Sequence, residues 1–440
     1  MSASLIEKLV AVGATLADYR AIAGSFLGKA KAIITDRNGA LHFVPGEDAS
    51  DPFNRLRISN PYPLLQVKHN YDKQPYLMLE TITGAATSTH STATASVTMS
   101  VTANGQAVTR QSRYYIDYQA GRGRTAFLTC LFGAGVANTI KEVGIGDTAN
   151  GLFFQLSGTT FQIVVRSSAT GSLVDTATAK ASWNIDPLNG TGPSGLTLDL
   201  TKVQLCVIDY AWLGVGRVRF GFQIGGKIIY VHEVNTANTG TLVYMSTGAL
   251  PVRYNISSTG GASSLVHICS AVFSDAGSKQ LGLVGAFCTA ATFSFSAASG
   301  TRIPLVSLKL KTAYARAQLI VENINISTST GDAKVEIFVA SLTSWNTWLS
   351  GGSGAFTACT TASESNELRT TAGALPSDAK LIGVGFVSST QKTFVISPSA
   401  EDVIISSSIA ADPDVLVVCA TGIGGASVQK GVAIQFREVY

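Results

Sequence analysis

The chain has 440 residues, room for two or three domains of about 150 residues each. Its 32 Lys and Arg against 28 Asp and Glu leave a net charge of +4, too little for a protein that coats nucleic acid. Charged residues make up 14% of the chain against 46% apolar, with 43 Gly and abundant Ser and Thr, so the expected surface is neutral and polar or covered by other subunits.

The first 34 residues carry the longest helical signal. Leu5, Leu9, Val12, Leu16, Tyr19, Ala23, Phe26 and Ala30 advance by alternating steps of four and three, a heptad seam, and Ser4 with Glu7 forms a capping box. Gly13, Gly24 and Gly28 weaken that helix, so it needs something to pack against. Two readings stay open: a helix docked on its own domain, or an anchor that bundles with sister chains or enters a larger assembly. A short hairpin is expected next, Lys31 to Thr35 and Leu41 to Val44, turning at Asn38-Gly39.

From residue 50 to about 280 the pattern is β. Strands are predicted within Thr87 to Thr102, Phe153 to Val165, Val203 to Asp209, Arg217 to Phe222 and Lys227 to Val234. In the fourth of these, Val218, Phe220 and Phe222 share one face and Arg217 and Arg219 the other. Turn signals recur at Asn104-Gly105, Asn150-Gly151, Asn189-Gly190 and Gly225-Gly226, which favours a sandwich or jelly roll over βαβ units. A second β domain is expected over 281–440, with strands at Leu305 to Lys311, Gln318 to Val321, Lys334 to Val339, Lys380 to Phe386, Thr393 to Ile396, Val415 to Cys419 and Gly431 to Tyr440. Thr343 to Gly354, with Trp345 and Trp348, reads as a loop or an edge. The expected fold is thus mainly β: an N-terminal helix and hairpin (1–49) followed by two β-sandwich or jelly-roll-like domains.

Chemical motifs are sparse. Six Cys without CxxC spacing read as buried free thiols of a chain kept in a reducing cytoplasm, and five scattered His suggest no metal site. Gly133-Ala134-Gly135 and Gly214-Val215-Gly216 lack the third glycine of a dinucleotide fingerprint and read as turns. Asp186, Asp199, Asp209 and Glu233 are the carboxylates a glycosidase would draw on, yet Asp186-Pro187 is turn chemistry. No catalytic residue, cofactor or metal is expected, and no run of apolar residues is long enough to span a membrane.

Four segments carry a resemblance. They are Asp51-Pro52-Phe53-Asn54-Arg55-Leu56-Arg57-Ile58-Ser59-Asn60-Pro61, Ser182-Trp183-Asn184-Ile185-Asp186-Pro187-Leu188-Asn189-Gly190 and onward to Gly195, Asp209-Tyr210-Ala211-Trp212-Leu213-Gly214 and onward to Phe222, and Pro251-Val252-Arg253-Tyr254-Asn255-Ile256. Together they resemble virion structural proteins of tailed bacteriophages, marine and cyanobacterial ones included, over about half the chain. The resemblance implies a particle component rather than an enzyme: a fibre, spike, decoration or baseplate part, made in the host cytoplasm and carried in the virion. A homotrimer anchored through Leu5, Leu9, Val12, Leu16, Tyr19 and Phe26 and touching capsid or tail proteins fits that expectation. Arg55 and Arg57 are either solvent or intersubunit residues or a docking pair for an acidic shell surface. Trp345 and Trp348 are either packed in the second sandwich or the contact tip of a receptor- or carbohydrate-binding module, the alternative function. A glycan-cleaving tailspike is a third, weaker reading.

Overall fold

The computed structural model describes residues 33–35, 41–43 and 61–439, except 114, 276, 278–281, 290–292, 297–301, 350–356, 361, 368–374, 389–392, 397–403, 407–408, 410–411 and 424–426. The chain divides into two compact units, Met1–Asn60 and Pro61–Tyr440. In the first, β1 (Ile33–Thr35) pairs antiparallel with β2 (Leu41–Phe43), the hairpin expected around Asn38-Gly39. The predicted helix with Leu5, Leu9, Val12, Leu16, Tyr19 and Phe26, and the Arg55–Arg57 motif, lie outside the described residues.

The second unit holds two antiparallel sandwiches in sequence. The first is built of β3 (Tyr62–Lys68), β4 (Met78–Thr83), β5 (Thr87–Ser91), β6 (Ser96–Val101), β7 (Gln106–Ser112), β8 (Arg124–Leu131), β9 (Thr139–Gly146), β10 (Gly151–Ser157), β11 (Thr160–Ser167), β12 (Val174–Ala179), β13 (Gln204–Tyr210), β14 (Val218–Ile224), β15 (Lys227–Val234), β16 (Val252–Ser258) and β17 (Ser263–Ser274). One sheet runs β12-β11-β10-β9-β16-β7-β4; the other runs β15-β14-β13-β8-β17-β6-β5, with β3 also on β17. The late strands β16 and β17 each insert between early ones, so neither sheet is complete until the chain has passed residue 252.

Local chemistry accounts for the hairpins. Gly225 and Gly226 adopt φ of +59° and +77° between β14 and β15, the doubly left-handed two-residue turn whose twist matches the strands and which side chains resist. The Thr87 to Thr102 and Phe153 to Val165 runs each fold into two strands rather than one, broken at Thr92–Ala95 and at Gly158-Thr159. Between the sheets sits an aromatic cluster: the Phe154 ring lies 4.9 Å from Phe222 and 5.4 Å from Phe220, and Trp183 is 5.8 Å from Phe161.

The second sandwich is built of β18 (Leu283–Cys288), β19 (Phe293–Ser296), β20 (Arg302–Leu310), β21 (Gln318–Thr330), β22 (Asp332–Ser341), β23 (Thr357–Ala358), β24 (Ser363–Glu367), β25 (Lys380–Val387), β26 (Thr393–Ile396), β27 (Ile404–Ile405), β28 (Asp414–Ile423) and β29 (Ser427–Val439). One sheet runs β18-β29-β21-β26, with β19 on β29 and β27 on β21; the other runs β23-β24-β20-β28-β22-β25. Strand β28 is apolar on both faces. Leu416, Val418 and Ala420 join the core between the sheets, while Val415, Val417 and Cys419 form a smaller core on the outside.

The cover over that outer core corrects the loop expected at Thr343. Leu342–Leu349 is a helix, α1. Ser341 accepts a hydrogen bond from the Ser344 amide at 3.4 Å and the Asp412 carboxylate accepts from the Thr343 amide at 3.2 Å, satisfying two of the donors that a helix start leaves free. The geometry drops Trp345 onto Phe338, Val415 and Val417. Among the described residues no helix is long and apolar enough to cross a membrane.

Candidate functional site

Of the four carboxylates that a hydrolase would draw on, Asp209 and Asp186 are held in the scaffold. Asp209, fully buried on β13, accepts from Arg219 Nε at 3.1 Å and from Tyr230 Oη at 3.1 Å, and Thr125 Oγ1 reaches its other oxygen at 3.3 Å. The Arg219 guanidinium also lies 4.2 Å over the Tyr230 ring, so the face expected to hold two arginines seals one of them inside. Asp186 closes a turn, accepting from the amides of Leu188 (2.9 Å) and Ser194 (2.8 Å), and those bonds hold its carboxyl below the ordinary range despite burial. Asp199 caps its own turn through Thr201, and Glu233 accepts from Asn235 at 2.8 Å. The segments bearing the phage resemblance that fall in the described region therefore supply scaffold: a capped turn, a buried ion pair and an aromatic core.

A second buried network ties β4, β7 and β17 together. Arg110 is sealed in the interior, paired with Glu80 and donating to the Lys73 carbonyl at 2.7 Å. Its Nη2 lies 3.1 Å from His69 Nε2, whose Nδ1 lies 2.7 Å from the Ile268 carbonyl oxygen. That pair of partners fits a neutral ring that donates through Nδ1 and accepts through Nε2. Burial lowers the His69 pKa to about 4, the backbone bond opposing and Arg110 adding to the drop. His267, stacked 3.7 Å from Tyr254 and edge-on to His69 at 4.4 Å, is held neutral by the same burial.

Of the two tryptophans read either as packed in the second sandwich or as a contact tip, Trp345 is packed, 0% exposed, and cannot stack on a ligand from solvent. The Trp348 side chain lies outside the described residues. Cys130, Cys206 and Cys419 are buried as expected, but Cys288 is exposed on β18.

The exposed apolar and aromatic surface lies elsewhere, and sequence reading missed it. On β25 the register against β22 sets Gly383 level with Ile337, Gly385 level with Val335 and Val387 level with Ala333, all facing the core. A bulge at Ile382 resets the alternation, so Leu381, Val384 and Phe386 fall level with Phe338, Glu336 and Lys334 on the outer face. Phe386 is 61% exposed and Val384 50%. At the start of the strand, Lys380 Nζ sits 3.8 Å over the ring of Tyr76, which is 64% exposed, and 3.3 Å from the Pro75 carbonyl. Burial brings the Lys380 pKa down to about 8, with Arg113 adding to the drop. The exposed apolar surface thus runs from Tyr76 of the first sandwich onto β25 of the second.

The two sandwiches are joined beneath it by ion pairs. Arg113 meets Asp414 at 2.8 Å, and Arg316 meets Asp147 at 2.8 Å while Tyr115 Oη donates to the same carboxylate at 3.1 Å. A separate cleft of about 570 Å3 opens at the β12–β15 side of the first sandwich, between Val165, Thr176, Thr178, His232, Val234 and Val243. Burial also lowers the His232 pKa, so at neutral pH this cleft presents an uncharged ring and hydroxyls beside Glu233. No group of three or more metal-ligating side chains is assembled among the described residues.

No family model matches the chain, and no curated protein does. Solved structures similar to it include a glycosyl hydrolase family protein from Mycobacterium fortuitum, 10% identical, covering 48% of this chain and 99% of that one with a TM-score of 0.35. Others are the CBM2 module of the evolved Dit of Lactobacillus casei BL23 phage J-1 (9% identity, 50% and 98% coverage, TM-score 0.29) and a legume lectin-like domain from Entamoeba histolytica (9% identity, 49% and 98% coverage, TM-score 0.28). Carbohydrate-binding and lectin-like β-sandwiches are thus among the similar structures, at scores too low to carry a functional argument.

Proposed function

We propose that this chain is a structural component of a tailed-phage virion, an oligomeric surface projection that works by assembly. The observation that carries the reading is the outward apolar face of β25. Single exposed apolar residues are ordinary, but Leu381, Ile382, Val384 and Phe386 stand exposed along one strand, with exposed Tyr76 beside its first residue. The resemblance of the 182–195, 209–222 and 251–256 segments to phage structural proteins agrees with it, because those residues build scaffold. Gold-labelled antibody against residues 281–440 on intact particles tests the proposal. Label over heads or tails is expected and also tells decoration from fibre; bare particles overturn it.

A second reading, contact with host glycans, rests on Tyr71 and Tyr76 rather than on the tryptophans. Tyr71 is 87% exposed, and the Tyr76 ring, 64% exposed beside the Lys380 ammonium, can stack on a sugar face while the cation meets its hydroxyls. A glycan array that gives signal with the native chain and none with Tyr71→Ala is the expected result; an array blank for both removes this reading.

A further inference from the structure

The cleft beside β12 and β15 has a cause in the register. Strand β12 ends one sheet of the first sandwich and β15 ends the other. Against β11, Thr178 stands level with Ile163, Thr176 with Val165 and Val174 with Ser167. Ile163 and Val165 belong to the core between the sheets, so this row of β12 faces inward. On β15, His232 stands level with Phe220 and Val234 with Val218, which puts both on the inner face of the opposite sheet. Inner faces of a sandwich are ordinarily filled. Here Val174 is 45% exposed and Thr176 is exposed, so the sheets stand open between their end strands. The opening of about 570 Å3 lies within the size range of small-molecule sites.

The lining is held in place by the fold itself. Asn184 Nδ2 donates to the Glu233 carbonyl and its Oδ1 accepts from the Glu233 amide, both at 2.9 Å. The Asn184 amide donates to His232 Nδ1 at 3.2 Å. With Nδ1 accepting, the neutral ring carries its proton on Nε2 and offers one N–H donor. The Tyr244 amide donates to the Gly214 carbonyl at 3.0 Å, anchoring the segment that carries Leu242 and Val243, 55% and 39% exposed. Tyr244 lines the cleft as well, and its buried hydroxyl has no hydrogen-bond partner among the described residues. Glu233 is the one carboxylate on the lining, with Asn235 donating to it at 2.8 Å and Arg217 4.0 Å away, and no Lys or Arg is among the lining residues.

We propose that this cleft is a binding site for a short, uncharged saccharide. The C–H face of a sugar packs on Leu242, Val243 and Val174, and its hydroxyls, which both donate and accept, meet Thr176, Thr178, the His232 Nε2–H and the Glu233 carboxylate. An anionic ligand would face Glu233 without a cation on the lining, and a purely apolar one would leave these polar groups unpaired. The site is separate from the Tyr71–Tyr76 surface and does not depend on assembly.

Titration of the full chain with uncharged trisaccharides of glucose, galactose, mannose and N-acetylglucosamine tests the site, with trigalacturonate as the charged probe. Saturable binding of at least one uncharged sugar is expected, tighter than that of trigalacturonate. Thr176→Trp fills the cleft from an exposed position and should weaken binding by roughly tenfold or more while the thermal midpoint holds. Leu242→Ser, at another exposed position, should weaken it by about threefold and keeps the test open if Thr176→Trp folds poorly. No saturation by any uncharged sugar overturns the inference, as does tighter binding of trigalacturonate or binding that both variants leave unchanged. The double variant Tyr71→Ala, Tyr76→Ala separates the two glycan surfaces. Binding lost in it alone overturns the cleft and leaves the second reading standing, whereas binding that it keeps and Thr176→Trp loses does the reverse.

Discussion

The two sandwiches share an architecture and both bury charged groups, Glu336 and Glu438 in the second, but they differ in how their cores are arranged. The first buries its charges in closed networks, Asp209 with Arg219 and Tyr230, and Glu80 with Arg110. It also holds His69, His90, His232 and His267, whereas no histidine follows residue 267. The second builds a two-sided core around β28 and leaves apolar residues on both of its edges. Buried hydrogen-bonded charges fix one arrangement of strands because any other strands a charge, while bare apolar edges lower their free energy by meeting another surface. On the proposed reading, the first sandwich is the pre-set body and the second the part whose surface assembly would complete.

The largest expected effects come from emptying each interior. Trp345→Ala should cost about 3–5 kcal/mol in the unfolding of the second sandwich, because α1 loses the buried ring that it packs with Val415 and Val417. Asp209→Ala should cost a similar 3–5 kcal/mol in the first, since it leaves the Arg219 guanidinium sealed without its carboxylate. Urea titrations followed by hydrogen exchange of each sandwich check both. If either variant destabilises the two sandwiches equally, they fold as one cooperative unit and the contrast drawn above fails.

Acid should separate them next. The His69 pKa is about 4 in the fold against 6.5 in the free side chain, so the unfolded chain takes up its proton first as pH falls. Stability from this group is complete above pH 6.5 and is lost between 6.5 and 4, on the order of 3 kcal/mol in all. His267 acts in the same direction. Thermal melts across that range should lower the midpoint of the first sandwich more than that of the second, and His69→Gln should flatten the difference.

Smaller again is the junction. Arg113→Ala removes the partner of buried Asp414, whose carboxyl burial already pushes up, and should cost about 1–3 kcal/mol and loosen the coupling between the two melts. Smallest is the outer strand itself. Phe386→Ser should shift stability by less than about 1 kcal/mol, since Phe386 faces solvent, yet weaken self-association at micromolar concentrations measured by sedimentation.

Much of the fold is legible in the residues. Lys227–Val234 and Thr393–Ile396 match their predicted strands to the residue, and the Gly225-Gly226 turn follows from backbone sterics that no distant contact alters. The candidate site is not legible in the same way. Trp345 and Trp348 invited a surface reading because they precede a Gly-rich tip, but Ser341 and Asp412 cap a helix there, and Asp412 comes from far along the chain.

Strand identity and turn position are local properties, set by β-branched side chains, alternation and φ, and the sequence by itself determined them. Which face of a strand meets the core is not local. In Lys380–Val387 the alternation of glycine with large apolar residues allows two phases that differ by one residue. Pairing with β22, and the bulge at Ile382, chose the phase that turns Gly383 and Gly385 inward and Val384 and Phe386 out. Only the tertiary structure could make that choice, because the core between the sheets is filled there by Val335 and Ile337 from the neighbouring strand.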